Sequence, residues 1–344
     1  MSIGIYLVTY LIIPIVVVFS IRRKKDEYEN LDKETTDSIK GVLVLGVVLS
    51  HLATRVNKGP FLLQFPFGQI GMYCVILFFF LSGYGLIKSY MKKGEVYLDS
   101  FWSRKIVKLY IPFIIVNIIS VIMRYPQKHN ISFLDLILNI LGIKLIDTTL
   151  WFIQTIFIFY LVFYIVIKYF KNKAIEAMLV SSIMYILIEY CIGAGVWQID
   201  TSISFFIGFL YGYRERIISK FMNWHYRNVL VGSCILFIIT KFISMKFYTE
   251  VIDIIFVNIS SIFFIIFTVL ILYKISIKST ILKFIKNYSY EMYLLHMKVM
   301  LILNTNKPVR VLEIMIFLSM LFFLSIIFSK LCNIINKIYF KIFN

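Results

Sequence analysis

The sequence predicts an all-α, polytopic transmembrane helical bundle of about eleven spans, and three observations predict it. Of the 344 residues, 60% are hydrophobic and 16% charged, whereas a soluble domain runs about 45–50% apolar and about 25% charged. Mean hydropathy is +0.86. The apolar residues fall in runs close to the roughly 20 needed to cross a hydrocarbon core about 30 Å thick. None of these runs alternates with period two, so helices, which satisfy their own backbone hydrogen bonds in lipid, are the expected spanning structure.

In chain order the runs are 3–21, 39–56, 69–87, 106–123, 149–168, 174–193, 197–213, 228–245, 254–273, 284–303 and 310–331. The first has no basic region before it and is followed by Arg22-Arg23-Lys24-Lys25, the pattern of an anchored span and not of a cleaved leader. The second begins after a charged cluster, Asp37 to Lys40, and contains His51. The third carries Phe78-Phe79-Phe80-Leu81-Ser82-Gly83-Tyr84, and the fourth follows the basic stretch Arg104 to Lys108. Between the fourth and fifth, Ile131 to Ile146 is apolar but short and carries Asp135 and Asn139; it reads as an interfacial or re-entrant piece on the outer side. Leu150-Trp151-Phe152 opens the fifth run. Lys171–Lys173 and the Arg214–Arg227 region read as cytoplasmic turns. The tenth run contains Tyr288 to His296, and the eleventh closes the bundle. Residues 1–32 form an N-terminal span with a basic loop, and residues 33–344 form one membrane domain.

Basic residues set the orientation. With 22–40 inside and strict alternation thereafter, 26 of the 36 Lys and Arg residues fall in inner stretches. This predicts an outside N-terminus and a cytoplasmic C-terminus in a plasma membrane. The same bias accounts for the net charge of +18. No aromatic-interleaved basic groove accompanies it, so nucleic acid is excluded as a partner and membrane lipid is expected. The four cysteines are scattered through apolar runs without a CxxC pair, so neither a disulfide framework nor a metal site is expected.

Four histidines are present. His129 and His225 fall in predicted loops. His51 lies eleven residues from Lys40, roughly 16 Å along a helix, which puts it near mid-membrane. His296 lies ten residues beyond Lys286, at similar depth. An ionisable group there is costly and usually faces a cavity or a partner. The plain reading is a neutral core histidine bonded to a neighbouring helix; the sharper one is a polar chamber with a general base. Ser82-Gly83 permits close approach, either of another helix or of a ligand. Arg104 and Lys108, four apart with Lys105 beside them, suit lipid phosphates or a phosphate-bearing cofactor from the cytosol. Trp151 fits a membrane interface, and Glu291 either snorkels or pairs with a lysine.

Taken in order, these pieces resemble the integral-membrane acyltransferase-three family, which O-acylates bacterial cell-surface carbohydrates. The resemblance rests on Asp37, Lys40, Gly41 and His51; on FFFLSGY at 78–84 and RKIVKLYIP at 104–112; and on LWF at 150–152 and YSYEMYLLH at 288–296. It covers roughly residues 33–335, with the span at 3–21 preceding the family core. Lysine stands at position 40 where members usually carry arginine. The resemblance implies an acyl-CoA donor, expected to be acetyl-CoA, with no metal, and a glycan or lipid-linked glycan acceptor of the cell envelope. It implies His51 as catalytic base or acyl relay, with Lys40, Arg104, Lys105 and Lys108 on the cofactor. Ser82, Gly83, Trp151, Glu291 and His296 would line the substrate chamber. The competing class is a transporter or flippase for a lipid-linked or anionic solute, with the buried histidines as a proton relay; it predicts inverted repeats with broken helices, and none is visible.

Overall fold

A computed structural model describes residues 13–24, 31–55, 61–124, 132–247, 249–303 and 311–343. The run at 3–21 lies largely outside the described residues; its end is α1 (Ile13–Ser20), which leads into strand β1 (Ile21–Arg23). Helices α2 (Lys33–Arg55) and α3 (Phe61–Lys93) form an antiparallel pair. Then come α4 (Glu95–Asp99), a π-turn at Trp102–Val107, α5 (Lys108–Arg124) and α6 (Phe133–Ile140). A 3-10 turn, Thr148–Leu150, opens α7 (Trp151–Tyr169), followed by α8 (Ala174–Cys191) and α9 (Val196–Ile199). The chain continues through α10 (Ile203–Trp224), α11 (Tyr226–Lys246), α12 (Glu250–Lys274), strand β2 (Ile275–Ile277), α13 (Thr280–Lys286), α14 (Ser289–Ile302) and α15 (Val311–Phe343). The two strands pair antiparallel, Ile21 opposite Ile277.

Eight helical stretches among the described residues are long and apolar enough to cross a membrane, so the chain is an all-α multi-pass membrane protein. Two predicted runs take a different form. The run at 284–303 is split: α13 ends at Lys286, and α14 has 14 residues, about 21 Å at 1.5 Å per residue. The run at 197–213 breaks at Asp200-Thr201-Ser202, residues that compete with a helix for backbone hydrogen bonds, and then continues to Trp224 as helix interrupted by a kink at Arg214. The stretch read as a turn from Arg214 is therefore mostly helix, as its Arg, Glu and Lys content favours. The expected re-entrant piece contains the eight-residue α6, too short to span.

Packing places α2, α3 and α10 at the centre. A methyl group added at Gly83 would meet the Phe205 carbonyl oxygen at 2.2 Å, and one at Gly208 the Phe80 carbonyl oxygen at 2.0 Å, so α3 and α10 cross backbone to backbone. In the same way Gly41 lets the Leu282 carbonyl of α13 sit on α2. Asp32 caps α2, accepting from the Thr35 amide at 2.6 Å and its hydroxyl at 2.7 Å. Glu34 pairs with Lys278 and Lys283, and Asp37 with Lys286, which fixes α13 against the start of α2.

Candidate active site

One face of α2 organises the site. Lys40, Val44, Val47 and His51 stand at i, i+4, i+7 and i+11, so all four project from one stripe of the helix. Two cavities open at opposite ends of the α2–α3 pair. The first, about 540 Å³, is lined by Lys33, Asp37, Lys40, Lys88, Lys92, Lys93 and Lys105 together with Ser82 and Tyr160. The second, about 370 Å³, is lined by His51, Ser50, Gln69, Met72 and Val75, by Thr148, Thr149 and Trp151, by Trp197, Asp200 and Thr201, and by Tyr293. Between them lies an apolar septum containing Val44, which is fully buried. Its thickness follows from the rise per residue: Val75 to Leu81 on α3, or Lys40 to Val47 on α2, is about 10 Å.

His51 and His296 are in direct contact, which the sequence brought only to equal depth. His51 Nδ1 lies 2.7 Å from His296 Nε2, and the rings are within 17° of coplanar. His296 is fully buried, and its Nδ1 lies 2.5 Å from the Tyr293 carbonyl oxygen. A carbonyl can only accept, so His296 Nδ1 carries a proton there. In the neutral pair, His296 Nε2 then accepts from His51 Nδ1–H, and the remaining basic nitrogen is His51 Nε2. The backbone of α14 thus selects the tautomer in which His51 Nε2 is the nitrogen without a proton.

A buried ion pair anchors α14 beside this pair. Lys298 donates to Asp147 at 2.5 Å, with side chains 4% and 3% exposed. Asp147 also accepts from the Thr149 amide at 3.1 Å and hydroxyl at 2.6 Å, and Tyr293 donates to the Thr149 carbonyl. Although burial pushes the Asp147 carboxyl up, the adjacent Lys298 ammonium holds it below the ordinary carboxylate range. Asp200 behaves oppositely: burial, reinforced by the Asp253 carboxylate, pushes it up to about 7. Among the described residues, the Thr201 hydroxyl beside it is buried without a hydrogen-bond partner. Trp151 and Trp197 form two walls of the cavity, with ring centroids 5.6 Å apart at 75°.

The other expected site residues are distributed as follows. Lys40, Lys105 and Ser82 line the lysine cavity, and Trp151 the His51 cavity. Arg104 and Lys108 are exposed and line neither. Arg104 belongs to a π-turn that ends just before Lys108, and its i→i+5 spacing undoes the face-sharing expected of an α-helix. Gly83 lies in the α3–α10 crossing and not in a chamber. Glu291 sits half-buried in the first turn of α14, against Ser329, away from both cavities. Asp147, Lys298, Trp197, Asp200 and Thr201 were not anticipated. Lys298 carried a usable signal, a lysine in an apolar run two residues past His296, whereas the others depend on tertiary pairing.

Among the described residues, no group of three or more His, Cys, Asp and Glu side chains is arranged to hold a metal ion. Searches of curated proteins and of solved structures returned no significant match. A family model described as an acyltransferase domain matches residues 35–332, which takes in the histidine pair, every motif from Asp37 to His296, and the lining of both cavities except Leu31 and Lys33. The chain is a multi-pass membrane acyltransferase and belongs to the acyltransferase-three family.

Proposed function

We propose that the protein is an O-acyltransferase that moves an acetyl group from acetyl-CoA to a hydroxyl of a cell-envelope glycan, with His51 as general base. The observation that carries this reading is His51 on the wall of one cavity, bonded to the buried His296 behind it and reached along a single face of α2 from a cavity lined by six lysines. The lysine cavity faces the cytoplasm in this reading, as the distribution of basic residues predicts, leaving the N-terminus outside and the C-terminus inside. Lys33, Lys40, Lys88, Lys92, Lys93 and Lys105 supply charge for the phosphates of CoA, with Arg104 and Lys108 steering the donor from the exposed π-turn. The thioester arm has about 10 Å of apolar septum to cross before its carbonyl reaches His51.

The acceptor binds against the wall that Trp151 and Trp197 make together, a surface that suits the apolar face of a sugar ring, with Asp200, Thr201 and Gln69 available for its hydroxyls. His51 Nε2 takes the hydroxyl proton as the oxygen attacks the thioester carbonyl. The carbon–sulfur bond breaks, and the CoA thiolate leaves with the proton returned by His51. His296 holds the His51 ring and accepts from its Nδ1–H throughout. A base so positioned contributes about 10²–10⁴-fold.

The test uses purified protein in nanodiscs with radiolabelled acetyl-CoA, following donor binding and label transfer to an envelope-glycan extract. Wild type should bind and transfer, His51→Ala should bind without transfer, and Lys105→Gln should bind more weakly. Transfer retained in His51→Ala contradicts the assigned role. Absence of donor binding by the wild type points to a different acyl donor or to transport.

A further inference from the structure

A third cavity, about 670 Å³, opens between α3 and the second half of α10, at the Lys40 end of the bundle. Lys88, Arg214, Arg216 and Lys220 line it, with Ser219 and Asn223. Arg216, Ser219, Lys220 and Asn223 stand at i, i+3, i+4 and i+7, which makes one continuous face of donors. This face begins where α10 breaks: Arg214 has φ −113° and ψ 21°, outside the helical region. Among the described residues the one carboxylate in the lining, Glu215, is 4% exposed, accepting from the Tyr84 hydroxyl at 2.9 Å and from Lys88 at 2.5 Å. Its charge is matched within the protein, so the recess keeps an excess of positive charge.

The neighbouring face of the same half-helix is apolar. Ile217, Phe221 and Trp224, at i, i+4 and i+7, are 64%, 58% and 80% exposed. A half-helix with exposed large apolar groups on one side and converging cations on the other matches the two parts of a phospholipid at a membrane interface. Basic residues are expected anywhere on a cytoplasmic surface; here they surround a recess whose one acid among the described residues, Glu215, is already satisfied.

We propose that this cavity binds the phosphate headgroup of an anionic glycerophospholipid, with the acyl chains lying along Ile217, Phe221 and Trp224. Lys88 also lines the lysine cavity, so the lipid sits one side chain away from the donor site. The assignment does not depend on the acyl transfer proposed above.

The experiment is lipid binding by native mass spectrometry on the delipidated full-length protein, with phosphatidylglycerol and phosphatidylcholine as probes and adenosine 3′,5′-bisphosphate as a soluble phosphate. The exposed pair Arg216→Gln/Lys220→Gln is compared with Lys168→Gln/Lys173→Gln, which removes the same charge at the same end outside the recess. At about 1 kcal/mol per surface cation, the first pair should weaken phosphatidylglycerol binding by about 30-fold, and the control pair should leave it within about threefold. Wild-type preference for phosphatidylglycerol should fall as salt rises. Equal binding of the two lipids by wild type overturns the proposal, as does an equal loss in the control pair. Loss of the bisphosphate alone in the first pair would also overturn it and assign the recess to the donor.

Discussion

Breaking the Lys298–Asp147 pair puts the architecture around His296 under the sharpest test. The two side chains are 4% and 3% exposed and 2.5 Å apart, so Lys298→Met leaves a buried carboxylate without its counter-charge, at a cost of about 3–5 kcal/mol. That is roughly 10²–10⁴ in the unfolding equilibrium. Asp147→Asn takes away the carboxylate that the Lys298 ammonium faces and weakens the cap on Thr149, with a similar expected cost. The double variant Lys298→Met/Asp147→Asn removes both charges, and the Asn side chain can still accept from Thr149. Replacing a buried pair is often nearly neutral, so the double variant should recover most of the loss, with a coupling energy above about 2 kcal/mol. The assay is denaturant titration of all four proteins in one detergent, alongside acyl transfer. Transfer should fall in each single variant, because the pair ties α14, and with it His296, to the start of α7. Single effects below about 1 kcal/mol that simply add would refute the reasoning. The pH dependence has a definite sign: the folded Asp147 carboxyl is depressed, so the stability it contributes is complete above its unfolded pKa and is lost on acidification.

Four further outcomes follow from the geometry. His296→Phe removes the acceptor for His51 Nδ1–H and should lower kcat by about 10²-fold with donor KM unchanged, whereas His296→Gln, which keeps an acceptor, should retain more activity; equal losses contradict the tautomer assignment. The Asp200 carboxyl is pushed up to about 7, so burial favours its protonated form and wild-type stability should decline as pH rises from about 4 through 7. In Asp200→Asn that slope, read as Tm between pH 5 and 8, should disappear. Val44→Phe, in the septum, should block transfer while leaving donor binding within about threefold, since a larger core side chain acts locally. Asp32→Ala removes the α2 cap and should cost about 1 kcal/mol, measured by denaturant titration.

The helical multi-span fold was legible because hydropathy is a local property: run length needed no tertiary information. The same held for His51 and Lys40, whose eleven-residue spacing places them on one stripe of a helix. Legibility ended where partners come from distant segments. His51 and His296 are 245 positions apart, and only the packing of α14 on α2 converts equal depth into a hydrogen bond. Asp147 reads as a loop acid until Lys298 arrives opposite it. Gly83 illustrates the opposite error: a small residue announces close approach without saying of what, and the neighbour is the Phe205 backbone. The shared face expected of Arg104 and Lys108 is lost because a π-turn changes the spacing rule on which the expectation rested.

The central claim is that a donor in the lysine cavity and an acceptor in the opposite cavity meet at His51. Sided membrane vesicles test it directly, with radiolabelled acetyl-CoA supplied only on the Lys40 side and an envelope-glycan acceptor only on the other. The account predicts label on the acceptor with wild type and none with His51→Ala, while both proteins retain donor binding. Label transferred only when donor and acceptor share a side, or transferred equally by His51→Ala, would contradict it.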